Sequence, residues 1–239
     1  KEFLLFYIPE FKFGEESDTR RGNEGIDEHK MDQVCVTAAS LSQIIQPQCR
    51  LIVDVCLCSY TQDGHCCITG DQEKTDKLLL EQAKSIYTAS GATIAPSDCQ
   101  DNTVKNIKSL KGGGIEVMSY STKFRSTFYR GWRNAMKIEK GIHRPYQLDV
   151  SDRRGALHRS IKYKDDGADE LMVKPGMTSL DLISDIKMFS HKPTGVYQTS
   201  GEYLGIGAPG SLLETYKVFE RAGADFMITY GARDLVGQV

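Results

Sequence analysis

The sequence has no excess of basic side chains and no long apolar run. Its 239 residues carry 30 Lys and Arg against 32 Asp and Glu, a formal net charge of −2. This balance argues against a protein that binds nucleic acid by neutralising phosphates, because such proteins usually show a strong basic excess. No uninterrupted apolar run approaches the roughly 18–20 residues that a membrane-spanning helix needs. We therefore expect neither nucleic acid nor a membrane among the partners.

Cysteine is also scarce, and it is unevenly placed. The seven cysteines are about 3% of the chain, well below the roughly 8–10% that is typical of a disulfide scaffold. Their number is odd, and four of them lie between Cys56 and Cys67. This crowding favours metal binding or catalysis in a reducing compartment over a secreted fold held by disulfides. No signal-peptide cleavage site follows the short apolar run Lys1–Pro9, and we expect a cytoplasmic location.

Seven short runs rich in β-branched and aromatic residues predict the strands. Most are continuous in apolar character rather than alternating, as in parallel strands that are buried on both faces. Helical spacing of apolar residues predicts helices at Lys77–Tyr87, Thr178–Phe189 and Ser211–Arg221, the second capped by Thr178 or Ser179. The predicted strands are Phe3–Ile8, Leu51–Cys56, Ala92–Ala95, Ile115–Tyr120, Glu170–Lys174, Thr194–Thr199 and Asp225–Tyr230.

Glycines stand between predicted helices and strands at Gly91, Gly167 and Gly223. Glycine tolerates the left-handed conformation that ends a helix, and the repeated order of helix, glycine and buried strand is typical of α/β architecture. No G-x-G-x-x-G or G-x-x-x-x-G-K-[ST] motif follows a strand. Polar residues follow the strand ends repeatedly. An open doubly wound sheet would spread these strand ends along an edge, whereas a barrel collects all of them around one mouth and fits better. We predict a single domain over residues 1–239, an incomplete (β/α)8 barrel of the TIM type with seven strands.

The densest chemical signal is the segment Asp54–Cys66. Its cysteines Cys56, Cys58 and Cys66 have a C-x-C-x7-C spacing, and together they could bind one Zn²⁺ as thiolates. Three protein ligands leave the fourth tetrahedral position for water or substrate, which is the arrangement of catalytic zinc. The alternative is a set of buried, reduced cysteines that only pack.

Two lysines follow predicted strands, Lys123 within Ser119–Phe124 and Lys174 within Met172–Gly176. A lysine after an apolar strand commonly extends its ammonium group to the surface. At the mouth of a barrel it can instead be desolvated, and burial and a second ammonium nearby both disfavour the charged form. The neutral amine can then attack a ketone to form a Schiff base. A zinc-independent Schiff-base aldolase is a further interpretation of these lysines.

These segments resemble the porphobilinogen synthase family, also called 5-aminolevulinate dehydratase. The matching motifs occur in the family's order and cover nearly the whole chain, and several motifs in register are more specific than any one alone. They are Asp54–Cys66, Ala95–Asp98, Ser119–Phe124 with Phe128–Tyr129, Tyr146–Leu148, Met172–Gly176, Tyr197–Tyr203 and Arg221–Tyr230.

The resemblance implies a lyase of heme biosynthesis that condenses two molecules of 5-aminolevulinate to porphobilinogen with loss of water. It implies that Lys174 holds the P-side substrate as a Schiff base, and that Lys123 holds or activates the A-side substrate. It further implies a catalytic zinc, held by the three cysteines, beside the A-side substrate. Asp54 and Asp98 would orient groups and transfer protons near the lysines. Loop capping is the alternative role for both carboxylates.

Each of the two substrates carries a carboxylate that needs charge-assisted hydrogen-bond donors. The resemblance assigns this role to Ser200 and Tyr230 on the P side, and to Arg133 and Gln147 on the A side. The family has a second arginine on the A side, and His143 occupies or neighbours its position, with an arginine next to it.

Several departures from the family pattern bear on activity. The family assembles into octamers through an N-terminal arm, and neither that arm nor the first barrel strand has a counterpart here. Because the chain also begins with Lys1, we expect a fragment of a longer, homo-oligomeric protein. After Asp98 the family's Asp-Gly-Arg triplet reads Asp101-Asn102-Thr103, so an arginine is absent. The alternative to an active enzyme is an impaired or inactive family member that binds zinc or assembles with full-length subunits.

Overall fold

The computed structural model describes residues 2–5, 28–45, 48–61, 63–110, 114–135, 143–207 and 210–239. These residues form two compact units: unit 1 contains the described residues up to Met118, and unit 2 contains those from Ser119 onward. None of the described helices is long and apolar enough to cross a membrane.

Unit 1 is built on a parallel three-stranded sheet in the order β1–β2–β3. Its continuous apolar run Leu51–Val53 is fully buried, as expected of a strand covered on both faces. The strands are β1 (Glu2–Leu5), β2 (Arg50–Val55) and β3 (Thr93–Pro96), and the helices are α1 (Glu28–Ile45), α2 (Gln72–Ser90) and α3 (Thr103–Lys108).

Unit 2 is built on a four-stranded sheet in the order β4–β5–β6–β7. The pairs β5–β6 and β6–β7 are parallel, and short 3-10 turns at Thr127–Tyr129 and Met177–Ser179 precede two of its helices. The strands are β4 (Met118–Lys123), β5 (Glu170–Lys174), β6 (Thr194–Tyr197) and β7 (Phe226–Ile228), and the helices are α4 (Arg130–Ala135), α5 (Arg153–Asp165), α6 (Leu180–Ser190), α7 (Ser200–Gly205), α8 (Ser211–Arg221) and α9 (Ala232–Leu235).

All three predicted helices are confirmed as α2, α6 and α8. Helix α2 starts earlier than predicted, because Asp71 caps it by accepting a hydrogen bond from the Lys74 N–H at 2.9 Å. Ser179 is the N-cap residue of α6, as predicted, but its side chain makes no capping hydrogen bond. The three glycines that follow predicted helices have positive φ angles of 65°, 101° and 102°.

All seven predicted strands are confirmed, and the sequence placed β4 three residues too early. The strand continues beyond the apolar run into Ser121, Thr122 and Lys123, which are polar but buried. A chain of hydroxyls supplies hydrogen-bond partners for the side chains of Ser121 and Thr122. The Thr122 and Ser160 Oγ atoms lie 2.9 Å apart, and the Ser160 hydroxyl donates to Ser121 Oγ at 3.1 Å. Residues 6–8 of the first predicted strand lie outside the described residues.

Candidate functional site

Lys123 and Lys174 lie at the carboxyl ends of the neighbouring strands β4 and β5 in unit 2. The ends of the strands are joined by a hydrogen bond of 3.0 Å from the Phe124 N–H to the Lys174 carbonyl. Both Nζ atoms lie over the ring of Tyr120, 5.7 Å from its centroid for Lys123 and 5.2 Å for Lys174. Lys123 is only 8% exposed. The structure therefore brings the two predicted lysines together.

Three tyrosine rings, which we call the tyrosine cage, surround the Lys174 amine. Its Nζ lies 3.8 Å from the ring centroid of Tyr197, 5.2 Å from that of Tyr120 and 5.4 Å from that of Tyr129. The single proton of the Tyr129 hydroxyl is shared between the carbonyls of Phe124 and Lys174, at 2.7 and 3.1 Å, which fixes the ring. These rings were not predicted from the sequence as site residues. The signal available in the sequence was an aromatic residue near the end of a predicted strand, where a neighbouring strand ends in a lysine.

Ser200 and Tyr230, the predicted P-side donors, lie in unit 2 on α7 and just after β7. The Ser200 Oγ is buried and has no hydrogen-bond partner within the described part of the chain. Ser200 packs closely against Gly131, because a Cβ atom added to this glycine would lie only 2.7 Å from Ser200 Oγ. The Tyr230 ring stands edge-on to Tyr197, with 6.4 Å between the centroids. The Ser200 hydroxyl is thus a buried donor that a bound anion could engage.

Gln147 and Arg133, the predicted A-side donors, also lie in unit 2. The segment that carries Gln147 is attached to the end of β4, because the Leu148 N–H donates to the Lys123 carbonyl at 3.2 Å. Gln147 Oε1 is buried, with no hydrogen-bond partner among the described residues. Burial lowers the pKa of Arg133 on α4, and the charge of Arg144 lowers it further. Two guanidinium groups therefore lie near each other with limited access to water, which favours binding of a carboxylate.

His143 has different surroundings from Arg144. It is exposed, and its Nε2 lies 2.9 Å from Nη1 of Arg125. Because a guanidinium can only donate, His143 Nε2 accepts this hydrogen bond. Arg144 is only 5% exposed. The role of His143 in binding substrate stays a prediction, and Arg144 is the neighbouring residue whose charge acts on Arg133.

Unit 1 brings the three predicted cysteines together. The Sγ atoms of Cys56, Cys58 and Cys66 all lie within 4.8 Å of one another, and all three residues are buried. Cys56 follows β2 directly, and its Sγ accepts a hydrogen bond from the Cys58 N–H at 3.5 Å. Hydrogen bonds with the other two thiols, followed by burial, raise the pKa of Cys56 well above its usual value.

The three thiols fit a zinc ion, because sulfur is a preferred ligand of Zn²⁺ and a bound cation stabilises thiolates that are otherwise unfavourable in such a crowded site. No other group of three potential His, Cys, Asp or Glu ligands is this close within the described ranges. Cys67 lies next to the cluster but is not part of it, and burial is the main reason that its pKa is raised to about 11.

Asp54 and Asp98, the predicted catalytic carboxylates, lie in unit 1. Asp54 accepts a hydrogen bond from Ser97 Oγ at 3.1 Å. Asp98 is 1% exposed, and burial raises its pKa to about 7, although the Gln100 N–H and the Thr103 hydroxyl donate to its Oδ1. Its Oδ2 has no hydrogen-bond partner among the residues described. An acid with a pKa near neutrality can both donate and accept a proton.

Glu202 is a buried carboxylate that was not predicted from the sequence as a site residue. One of its oxygens accepts the Met177 N–H at 2.7 Å, and the other accepts the N–H and the hydroxyl of Thr199 at 2.6 and 3.0 Å. Glu202 therefore joins the loop after Lys174 to the start of α7. The spacing Thr199-x-x-Glu202 is that of a capping box and was the available signal.

Comparison with known proteins identifies the family. A model of the family described as delta-aminolevulinic acid dehydratase matches residues 1–238. The enzyme of that name from Helicobacter pylori is 32% identical, over 98% of this chain and 76% of its own length. That from Escherichia coli is 34% identical, over 88% of this chain and 71% of its own. That from Pongo abelii is 35% identical, over 91% of this chain and 73% of its own.

A solved structure is also similar. It is the crystal structure of delta-aminolevulinic acid dehydratase (porphobilinogen synthase) from Toxoplasma gondii ME49 in complex with the reaction product porphobilinogen. The TM-score is 0.79 with 30% sequence identity, over 91% of this chain and 66% of that one. The predicted fold class, α/β of the TIM-barrel type, is confirmed by this similarity, and the predicted enzyme class, a lyase, is confirmed by the family. The chain belongs to the delta-aminolevulinic acid dehydratase family.

Proposed function

We propose that this chain condenses two molecules of 5-aminolevulinate to porphobilinogen, with loss of water, in heme biosynthesis. The observation that carries this proposal is the placement of Lys123 and Lys174 over the ring of Tyr120, with the Lys174 amine inside the tyrosine cage. Family membership supports the substrate, and the paired amines support Schiff-base chemistry.

Lys174 forms the Schiff base with the P-side substrate in this proposal. Its Nζ attacks the ketone carbon, a C–N bond forms, and the carbonyl oxygen leaves as water. Lys123, which is nearly buried at the neighbouring strand end, holds or activates the A-side substrate. Rigid strands position both amines, so little conformational entropy is lost when the substrates bind.

The substrate carboxylates bind to donors in unit 2. Ser200 and Tyr230 hold the P-side carboxylate, because the Ser200 hydroxyl is buried and otherwise without a described partner. Arg133 and Gln147 hold the A-side carboxylate. Arg144 supplies the second guanidinium there in place of His143, since its side chain is buried and its charge acts on Arg133.

Cys56, Cys58 and Cys66 hold a zinc ion in this proposal. When bound, zinc would act as a Lewis acid that polarises a carbonyl or activates water for proton transfer. Asp98 holds or moves a proton at its Oδ2, because its pKa of about 7 allows both protonation states near neutrality. Asp54, which is held by Ser97, orients a neighbouring group.

Borohydride trapping with isotopically labelled 5-aminolevulinate tests the Schiff base. We expect a labelled adduct on Lys174 by peptide mass spectrometry, lost in Lys174→Ala and retained in Lys164→Ala, a lysine on α5 outside the cage. Lys123→Ala should lower porphobilinogen formation while leaving the Lys174 adduct detectable. An adduct on neither Lys123 nor Lys174 would exclude this mechanism.

A family member that binds zinc without catalysis is the second candidate. It is favoured by Thr103, which stands where the resemblance places an arginine. Porphobilinogen formation by the purified chain, measured as a pyrrole, would exclude this candidate. The proposal also includes a cytoplasmic location and a homo-oligomeric state. Light scattering of the purified chain tests the oligomeric state.

A further inference from the structure

The ring of Tyr197 lies against the amine that we propose to react. We propose that Tyr197 is a catalytic residue whose aromatic face stabilises the cationic iminium formed at Lys174, an inference that rests on the proposed function. The Lys174 Nζ is 3.8 Å from the Tyr197 centroid, whereas it is more than 5 Å from the centroids of Tyr120 and Tyr129. A cation within about 6 Å of a ring centroid is attracted by the ring's electron-rich face.

The Tyr197 ring is held in place by its surroundings. Tyr197 ends β6 and is only 4% exposed. The Tyr120 ring lies 6.2 Å from it at an angle of 39°, and the Tyr230 ring lies 6.4 Å from it edge-on. Water competes for the cation less at a buried ring than at an exposed ring. Because the ring is already held in position, it need not reorganise during the reaction.

The charge on the Lys174 nitrogen changes in the step that Tyr197 would assist. A neutral amine and a neutral ketone take up one proton from solvent and form a protonated C=N bond and one molecule of water. The positive charge develops at Nζ only as the water leaves. A ring face that attracts this charge therefore stabilises the transition state and the iminium more than the neutral amine.

The test separates the ring face of Tyr197 from its hydroxyl. Tyr197 is replaced by Phe, by Phe carrying one, two or three fluorines, and by Leu, and borohydride-trapped 5-aminolevulinate on Lys174 is measured over time. Fluorine withdraws electron density from the ring face with little change in size. We expect Tyr197→Phe to trap within about threefold of the unsubstituted rate, each added fluorine to lower the rate, and Tyr197→Leu to lower it about 30-fold.

Tyr163 provides the matched control. It is a buried tyrosine on α5, and its ring has its own lysine neighbour, Lys162, with Nζ 5.6 Å from the centroid. The same substitutions at Tyr163 should leave trapping at Lys174 unchanged. Urea unfolding of each variant identifies those that fail to fold, and the fluorinated series still decides the question if Tyr197→Leu is among them.

The outcomes distinguish this inference from the function on which it rests. A rate that is flat across the fluorinated series overturns the inference, and an equal loss in the Phe and Leu variants also overturns it by assigning the role to the hydroxyl. If the unsubstituted protein forms no adduct on Lys174, the proposed function fails, and the inference fails with it.

Discussion

Thr103 acts on the protonation of a buried acid through one hydrogen bond. Its hydroxyl donates to Asp98 Oδ1 at 2.9 Å, and both residues are buried. The resemblance places an arginine at this position, so this chain has a neutral donor where the family has a charged one. The hydroxyl favours the carboxylate form, whereas burial favours the protonated form and is the larger effect.

We predict that Thr103→Val raises the pKa of Asp98 above its value of about 7. Valine keeps the shape of threonine but cannot donate, so the carboxylate loses a hydrogen bond that stabilises its charged form. Titration of the ¹³C-labelled aspartate carboxyl by NMR measures the change. Thr103→Ser keeps the hydroxyl and is the control. A pKa that is unchanged or lower in the valine variant would contradict the prediction.

The sequence could predict which candidate residues lie close together more fully than it could predict their surroundings. The spacing of Cys56, Cys58 and Cys66 predicts a cluster because all three lie in one short segment, and the structure brings them together. The tyrosine cage could not be predicted in this way. Tyr120 and Lys174 are far apart in the sequence, and only the pairing of their strands brings them together.

At the scale of elements, the capping box of α7 connects two loops that bear on the proposed site. Glu202 accepts hydrogen bonds from Met177, in the turn after β5, and from Thr199, which begins α7. Burial raises the pKa of Glu202, although these hydrogen bonds favour its charged form. The carboxylate thus stabilises the arrangement of the loops at some cost in desolvation.

We predict that Glu202 makes the protein less stable as pH rises above the ordinary glutamate pKa of about 4.3. Because its native pKa is raised, the folded protein keeps a proton that the unfolded chain has lost, and the free energy of unfolding falls with pH until the native pKa is passed. Glu202→Gln has no charge to titrate and should lack this decrease. Urea unfolding between pH 4 and 8 measures it.

Glu214→Gln is the matched control for this experiment. Glu214 lies in the first turn of α8, as Glu202 does in α7, but it is exposed. Its replacement should leave the pH dependence of stability nearly unchanged. A free energy of unfolding for the wild type that rises relative to Glu202→Gln over this pH range would show that the sign of the effect is wrong.

Strand β4 shows why some elements are harder to predict than others. Buried apolar runs predicted β2 and β5 to within one residue, because both are covered by other apolar groups. In β4 the buried residues include Ser121 and Thr122, whose hydroxyls bond to Ser160 on α5. Burial of a hydroxyl is favourable only when it has a hydrogen-bond partner. Here the partner is Ser160, on a helix that comes much later in the sequence than β4.

At the scale of the whole molecule, the zinc proposed at the cysteine cluster would link that cluster to stability. We predict one zinc per chain. Chelation should lower the midpoint of thermal unfolding, because a metal that binds the folded state more tightly than the unfolded state stabilises the folded state. Elemental analysis and a thermal melt with and without chelator measure the two effects. Cys66→Ala should lose the zinc.

Cys35→Ala is the control for the metal experiment, because Cys35 lies on α1 and is not part of the cluster. This variant should keep both the zinc and the effect of the chelator. Zinc that persists at one per chain in Cys66→Ala would mean that the metal is bound elsewhere.

The hydroxyl chain between β4 and α5 also determines how accurately one amine is placed. Methyl groups can slide past one another with little penalty, but a hydroxyl pair separates from its optimum once it moves by a fraction of its bond length. Thr122, which directly precedes Lys123, is therefore held against lengthwise slippage by Ser160. Helix α5 on the flank of the sheet thereby limits how far the Lys123 amine can shift along β4, and we expect Ser160→Ala to loosen the spacing between the two lysine amines before it destabilises the fold.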